Sequence, residues 1–287
     1  MKKIVAFLST MLLISNLCTA EVNVQNEGNI YYDANKYPNG IRGIGAHTTI
    51  QMAMDANGVM FDQDESMKTR TRLFKKLTKE KGFRYTLWAS KKGLSVKSQK
   101  KRLQAAGNDH GYCSDAIFMD MAEEANDPYL LQALRAATLE VVTPNLEVAH
   151  LLKILDDHQI PVRVLSNMGD QLLYLQAKNL QEKIESSTLD PHEQAASEFL
   201  HTIITDRDHN AVASTLTGNP HKPAAAIYHL FLQRNPHHHL TILVDDKLEN
   251  IEAAVAQGFI GIFCKKYKAA TAMKDALPKI IGEDFFE

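Results

Sequence analysis

An α/β fold built on an open parallel sheet is what this sequence predicts, and three observations carry the prediction. Short apolar runs suited to strands, at residues 50–54, 160–165, 240–244 and 260–264, are separated by stretches with apolar residues at helical spacing. Three of those runs end in polar residues, Asp55, Ser166-Asn167 and Asp245-Asp246. That edge of a parallel sheet is where loops and helix N-termini converge and ligands bind. Finally, 287 residues at 45% hydrophobic and 23% charged are enough to bury a substantial core in one or two domains.

The first twenty residues, MKKIVAFLSTMLLISNLCTA, are a different kind of segment. Lys2 and Lys3 precede an apolar run over 4–14, then small residues at Cys18 and Ala20 before Glu21. This is the pattern of a cleavable secretory signal, and the run is too short for a membrane span. Leu17 before Cys18 fits a lipid-attachment box poorly, so the expectation is a soluble protein, secreted or periplasmic. Cleavage removes two lysines, which takes the formal net charge from −2 to −4 and leaves two cysteines, Cys113 and Cys264. An oxidising compartment could pair them, but two distant cysteines make no disulfide framework. Residues 21–46 are polar, with Tyr31-Tyr32 and no sustained period, and are expected to be an arm lying on the core.

Ile50, Met52 and Met54 alternate with Gln51 and Ala53 as in a half-buried strand, and the run breaks at Asp55-Ala56-Asn57-Gly58. An Asp after a strand is most often a turn residue or helix cap, so Asp55 alone proves little. Asp62, after Val59-Met60-Phe61, is its rival. Three residues make a poor strand, which favours Asp55. Residues 68–102 then hold fourteen Lys or Arg against one acid, Glu80. Two readings stand: a solvated helical face with Leu73, Phe74 and Leu77 packed inward, or a surface that attracts anions.

Residues 115–139 read as helices, and Thr143-Pro144 as the opening of another with Leu146, Val148, Leu151, Leu152 and Leu155 at its core face. Ser166 and Asn167 follow the next strand; a hydroxyl and an amide there could bind a phosphoryl oxygen or cap a helix. A helix over 171–187, a polar linker over 187–193 and a strand over 199–205 are expected next. Lys222-Pro223 leads into an Ala-rich helix, where the lysine is either an exposed charge or an anchor for phosphate. His237, His238 and His239 point in different directions as neighbours in sequence and make a poor metal site. Asp245-Asp246 repel one another unless a cation or lysine neutralises them. A helix then runs from Lys247 until Gly258 stops it.

The segments MDANGV, VRVLSN, HKP with its following helix, and ILVDDKLENIEAA, in that order, resemble the haloacid dehalogenase-like (HAD) hydrolase superfamily. The resemblance implies a Rossmann-like parallel sheet core over 47–62 and 140–287, with a helical cap over 63–139 that holds the basic segment. It further implies that Asp55 is the nucleophile in phosphoryl transfer and that Asp55, the main-chain carbonyl of Asn57, Asp246 and Asp245 hold Mg²⁺. Ser166, Asn167 and Lys222 would bind the phosphoryl group. Active phosphatases of the superfamily usually carry a second Asp two residues after the nucleophile, and here that position is Asn57. An amide cannot exchange the proton, and such help is typically worth about 10² to 10⁴ in rate.

Three functions are therefore expected in order: an exported Mg²⁺-dependent phosphohydrolase acting on a small or polymeric phosphate monoester; a weak or inactive protein that binds an anionic partner through the basic cap; and a haloacid dehalogenase. The retained Asp245-Asp246 pair argues against the last, since halide displacement from carbon needs no metal.

Overall fold

The computed structural model describes residues 22–44, 48–63, 114–186, 189–213 and 220–282. In chain order the strands are β1 (Val24–Glu27), β2 (Ile30–Asp33), β3 (Ile50–Met54), β4 (Phe61–Gln63), β5 (Val142–Pro144), β6 (Val162–Ser166), β7 (Ala211–Val212), β8 (Leu240–Asp245) and β9 (Ile260–Phe263). The helices are α1 (Ser114–Glu124), α2 (Pro128–Val141), α3 (Leu146–Asp157), α4 (Asp170–Glu185), α5 (Pro191–Thr205), α6 (Ala225–Arg234), α7 (Leu248–Val255) and α8 (Ala269–Ile281). Seven strands form one sheet in the order β1-β2-β9-β8-β3-β6-β7. From β9 to β7 every pairing is parallel.

Helices cover both faces of this sheet, so its central strands are buried throughout rather than on one side. Met52, Met54, Ile242, Val244 and Val164 pack into one core with α3, α4, α5 and α8. Ala53, Leu243 and Leu165, the alternate residues, pack into a second core with Ile227, Phe231, Ile251 and Phe259. The half-buried strand expected at Ile50–Met54 is thus corrected: all five residues are buried. Gln51 is tolerated there because its amide donates to Thr241 Oγ1 at 2.9 Å.

Three other expectations change. Residues 199–205 are not a strand but the second half of α5. Asp190 and Glu193 form a capping box, Pro191 occupies the first turn, and Ser197, Leu200, Ile203 and Ile204 are buried at helical spacing. The expected linker is shorter for the same reason, and the strand that flanks β6 is the two-residue β7. Thr143-Pro144 does not open α3 but lies in β5, and the cap is Asn145, whose side chain accepts from Val148 N. The arm at 21–46 supplies β1 and β2, an antiparallel hairpin that extends the sheet through β9 and buries Ile30 and Tyr32.

The antiparallel β4–β5 ribbon pairs Phe61 with Pro144 and Gln63 with Val142, and so brings together the two ends of the segment 64–141. Of what lies between, α1 and α2 pack on one another and reach α4. The basic stretch 68–102, Cys113 and the proposed signal lie outside the described residues. Cys264 is buried, and among the described residues no helix is long and apolar enough to cross a membrane.

At Gly261 in β9 α7 packs tightly on the sheet: a Cβ there would sit 2.5 Å from Ile251 Cγ2. Gly261→Ala should therefore cost about 1–3 kcal/mol, the usual range for overpacking a core. Urea unfolding read by circular dichroism checks this, and an unchanged midpoint would mean that α7 moves freely.

Candidate active site

Three strands and one loop end at the same place. Asp55 directly follows β3, Ser166 closes β6, Asp245 closes β8, and Lys222 lies in the loop before α6. Because β3 lies between β6 and β8, the parallel register brings all three strand ends to one edge.

Lys222 is at the centre. It is 1% exposed, and its Nζ donates to Asp55 Oδ1 at 2.9 Å and to Asp245 Oδ2 at 2.5 Å. Burial alone would drive the ammonium toward its neutral form, but the charges of Asp245 and Asp55 outweigh that and hold its pKa above the usual lysine range. Ser166 Oγ donates to the same Asp55 oxygen at 2.8 Å and accepts from Met168 N at 3.2 Å. Asp245 also accepts from Lys247 N at 2.8 Å and from Asn250 Nδ2, which lies 3.0 Å from each of its oxygens. Asn250 is fixed in turn by Tyr228, whose hydroxyl donates to the Asn250 carbonyl at 2.8 Å.

Asp246 has no such support. Its Oδ1 is buried and has no hydrogen-bond partner among the described residues. Burial, then the neighbouring charges of Asp55 and Asp245, push its pKa up from 3.8 to about 6. Carboxylate oxygens of Asp55, Asp245 and Asp246 all lie within 4.8 Å of one another. Three carboxylates around one ammonium leave surplus negative charge, and an orphaned carboxylate oxygen at the surplus is what a divalent cation would satisfy.

The loop after Asp55 is built around the same pair. Gly58 has φ +83°, and a Cβ on it would fall 2.7 Å from Asp246 Oδ2. Main-chain bonds from Met60 to Asp55 and from Phe61 to Ala56 close the loop tightly. Asn57 sits inside it, its Oδ1 buried and without a partner among the described residues.

Of the residues singled out from sequence, Asp55, Ser166, Lys222, Asp245 and Asp246 meet here. Asn167 is adjacent, but its side chain turns to the main chain of Lys222. Asp62 lies elsewhere, in the β4–β5 ribbon, accepting from Asn145 Nδ2 at 3.1 Å. The His tract is apart from the acidic cluster, and His239 Nδ1 lies 2.8 Å from Thr49 Oγ1. Tyr228 was not legible as a site residue: it looks like any aromatic on a buried helix face. Asn250 stood out in sequence only as part of the last motif, with no hint that its side-chain nitrogen reaches both oxygens of Asp245.

The raised pKa of Asp246 would make the binding of a cation beside it depend on pH. Its folded pKa exceeds its ordinary value, so in the metal-free protein the stability it contributes declines as pH rises from about 3.8 through about 6. A cation must displace that proton. Mg²⁺ should therefore raise Tm markedly at about pH 7.5 and little at about pH 5, and Asp246→Asn should raise the metal-free Tm at the higher pH while removing the response to Mg²⁺. Equal Mg²⁺ shifts at both pH values would exclude Asp246 from the site.

No family model and no curated protein matches the chain. Among solved structures it is similar to a HAD family enzyme of Bacteroides thetaiotaomicron, an Asp-to-Ala variant in complex with magnesium and inorganic phosphate. There the identity is 16%, 75% of this chain and 94% of that chain are covered, and the TM-score is 0.44. It is also similar to an L-2-haloacid dehalogenase, with 16% identity, 75% and 85% coverage and a TM-score of 0.42. A third likeness is to a HAD family hydrolase of Deinococcus radiodurans with bound phosphate and sodium, with 16% identity, 75% and 79% coverage and a TM-score of 0.37. Overlap at this level says nothing of activity, which rests on the residues themselves. Asp55, Ser166, Lys222 and the Asp245-Asp246 pair meet, in that chain order, at one edge of a parallel sheet.

Proposed function

We propose that the protein is an exported, Mg²⁺-dependent phosphohydrolase of the HAD-like superfamily that opens phosphate monoesters through an aspartyl-phosphate at Asp55. The observation that supports this best is the Lys222 ammonium held between Asp55 and Asp245, with Ser166 on the same Asp55 oxygen. Both bonds fall on Asp55 Oδ1, so Oδ2 is left to face phosphorus or metal. The carboxylates also fit a divalent cation: Asp55 and Asp246 would hold it, with the Asn57 carbonyl and Asp245 beside them. Mg²⁺ bound there supplies positive charge against the carboxylates and the phosphoryl oxygens.

An oxygen of Asp55 bonds to phosphorus as the bond from phosphorus to the ester oxygen breaks. The Ser166 hydroxyl, now given to Asp55, would turn to a phosphoryl oxygen, and Lys222 would offset the charge that Asp55 and the phosphoryl group share. The departing oxygen carries the electron pair and needs a proton unless it is a good leaving group. Asn57 has none to give, so that proton comes from water. A water molecule then attacks the phosphorus of the acyl phosphate, which releases phosphate and restores the Asp55 carboxylate. In this reading the segment 63–139 is a cap, the core spans 47–62 and 140–287, and the basic stretch within the cap draws anionic, phosphorylated substrates, including polyanions, toward the site.

A second reading, a binding protein with little turnover, is favoured by Asn57 itself. Two experiments separate these. Asp55→Asn should abolish hydrolysis of nitrophenyl phosphate with Mg²⁺, whereas Asp62→Asn, in the ribbon, should leave it within a few-fold; the reverse pattern would move the nucleophile to Asp62. Asn57→Asp should raise turnover of alkyl phosphates by about 10² or more, as restored acid–base help predicts, and of nitrophenyl phosphate only slightly. No gain on any ester, with Mg²⁺ binding intact, would leave the binding reading as the better one.

A further inference from the structure

Asn167 was expected to bind the phosphoryl group; its side-chain oxygen and nitrogen each hold the main chain of Lys222. Its Oδ1 accepts from the Lys222 main-chain N–H at 2.7 Å, and its Nδ2 donates to the Lys222 carbonyl at 2.7 Å. His221 Nδ1 also lies 3.2 Å from that carbonyl. The amide thus reads both faces of a single residue's backbone, as a neighbouring strand would, across 55 positions of sequence. Both residues are buried, Asn167 at 8% and Lys222 at 1% exposed.

We propose that Asn167 is a positioning residue that clamps the Lys222 main chain to the end of β6 and so aims the Lys222 ammonium between Asp55 and Asp245. Ala224 N bonds back to His221 O within the loop itself, and α6 has no side-chain N-cap. On the β6 side the anchor is firm, since Ser166 O accepts from Ala213 N and Ser166 Oγ accepts from Met168 N. The Asn167 amide therefore ties the Lys222 main chain to a rigid strand end. A lysine has four rotatable side-chain bonds, so its ammonium is only as well placed as its Cα. Only an amide supplies a donor and an acceptor side by side in this register; a carboxylate would set an oxygen against the Lys222 carbonyl, and a hydroxyl would reach one group and not both.

The kinetic arm of the test rests on the phosphohydrolase reading, and the exchange arm does not. Asn167→Ala should lower kcat for nitrophenyl phosphate by about 10²-fold, the scale set by misplacing a catalytic group by about 1 Å. In a Lys222→Met background the same change should have no further effect, because its whole influence runs through Lys222. Effects that multiply instead would mean that Asn167 touches substrate or merely supports the fold, and would overturn the proposal. Lys222→Met leaves two buried carboxylates unpaired and could fail to fold. For that case, amide hydrogen exchange by NMR in the otherwise unaltered full chain decides: Asn167→Ala should speed exchange at the Lys222 N–H by about tenfold or more while the Val164 N–H in β6 stays protected. Unchanged exchange at Lys222 would overturn the clamp whatever the kinetics. If the wild-type protein hydrolyses no phosphate ester at all, the functional reading fails and the clamp is still judged by exchange.

Discussion

A buried lysine between two buried carboxylates is the interaction on which the rest of this structure depends. Each of the three charges would be costly in a low-dielectric interior by itself, by several kcal/mol even after relaxation. They are tolerated because every one has a partner at hydrogen-bond distance and because Asn250 and the Lys247 N–H satisfy what remains of Asp245. The partners come from β3, from β8 and from the loop before α6. None can drift without stranding a charge, so the site and the register of the central strands are one constraint.

The same arithmetic explains why the site has chemistry left in it. Lys222 offsets only one of the two carboxylate charges it touches, and Asp246 adds a third carboxylate with a buried oxygen that has no partner among the described residues. In a purely structural ion-pair network that oxygen would be a defect. At a strand edge beside Asp55 it belongs to a cluster of carboxylates that could hold a cation, and Gly58 leaves room for it: a side chain there would strike Asp246 Oδ2. β4 follows directly on the loop from Asp55 to Phe61 and pairs with β5.

Sheet order follows from how the two faces are filled. β3 and β8 carry apolar residues in both registers, so they can lie only where helices cover both sides. β2 and β1 are partly exposed and belong at an edge, and β7, with two residues, ends the other side. Asn210 shows how little is needed to hold that short strand. Its Oδ1 accepts from Val164 N, its Nδ2 donates to Ile203 O, and it thereby joins β6 to the end of α5.

The strands ending at Asp55, Ser166 and Asp245, the helices α3, α4, α6 and α7, and five of the site residues were legible in the amino-acid sequence, because each rests on local periodicity or on a polar residue placed where an apolar run stops. The misreadings were also local in origin. Phe199 to Thr205 is apolar enough for a strand, but the capping box that makes it helical begins nine residues earlier, in what looked like linker. The polar arm gave no period because only two of its strands' side chains face the core. What the sequence by itself determined was which residues could carry charge at a strand end. Which of them meet was decided by tertiary structure alone. Asp55 and Asp62 are seven positions apart with similar chemistry, yet one faces Lys222 and the other Asn145, because parallel pairing of β3 with β6 and β8 places only the first at the shared edge. That Asn167 Oδ1 accepts from Lys222 N at 2.7 Å was likewise decided by where the loop before α6 lies. Hydrogen bonds across 55 and 167 positions depend on chain crossings that no local pattern encodes.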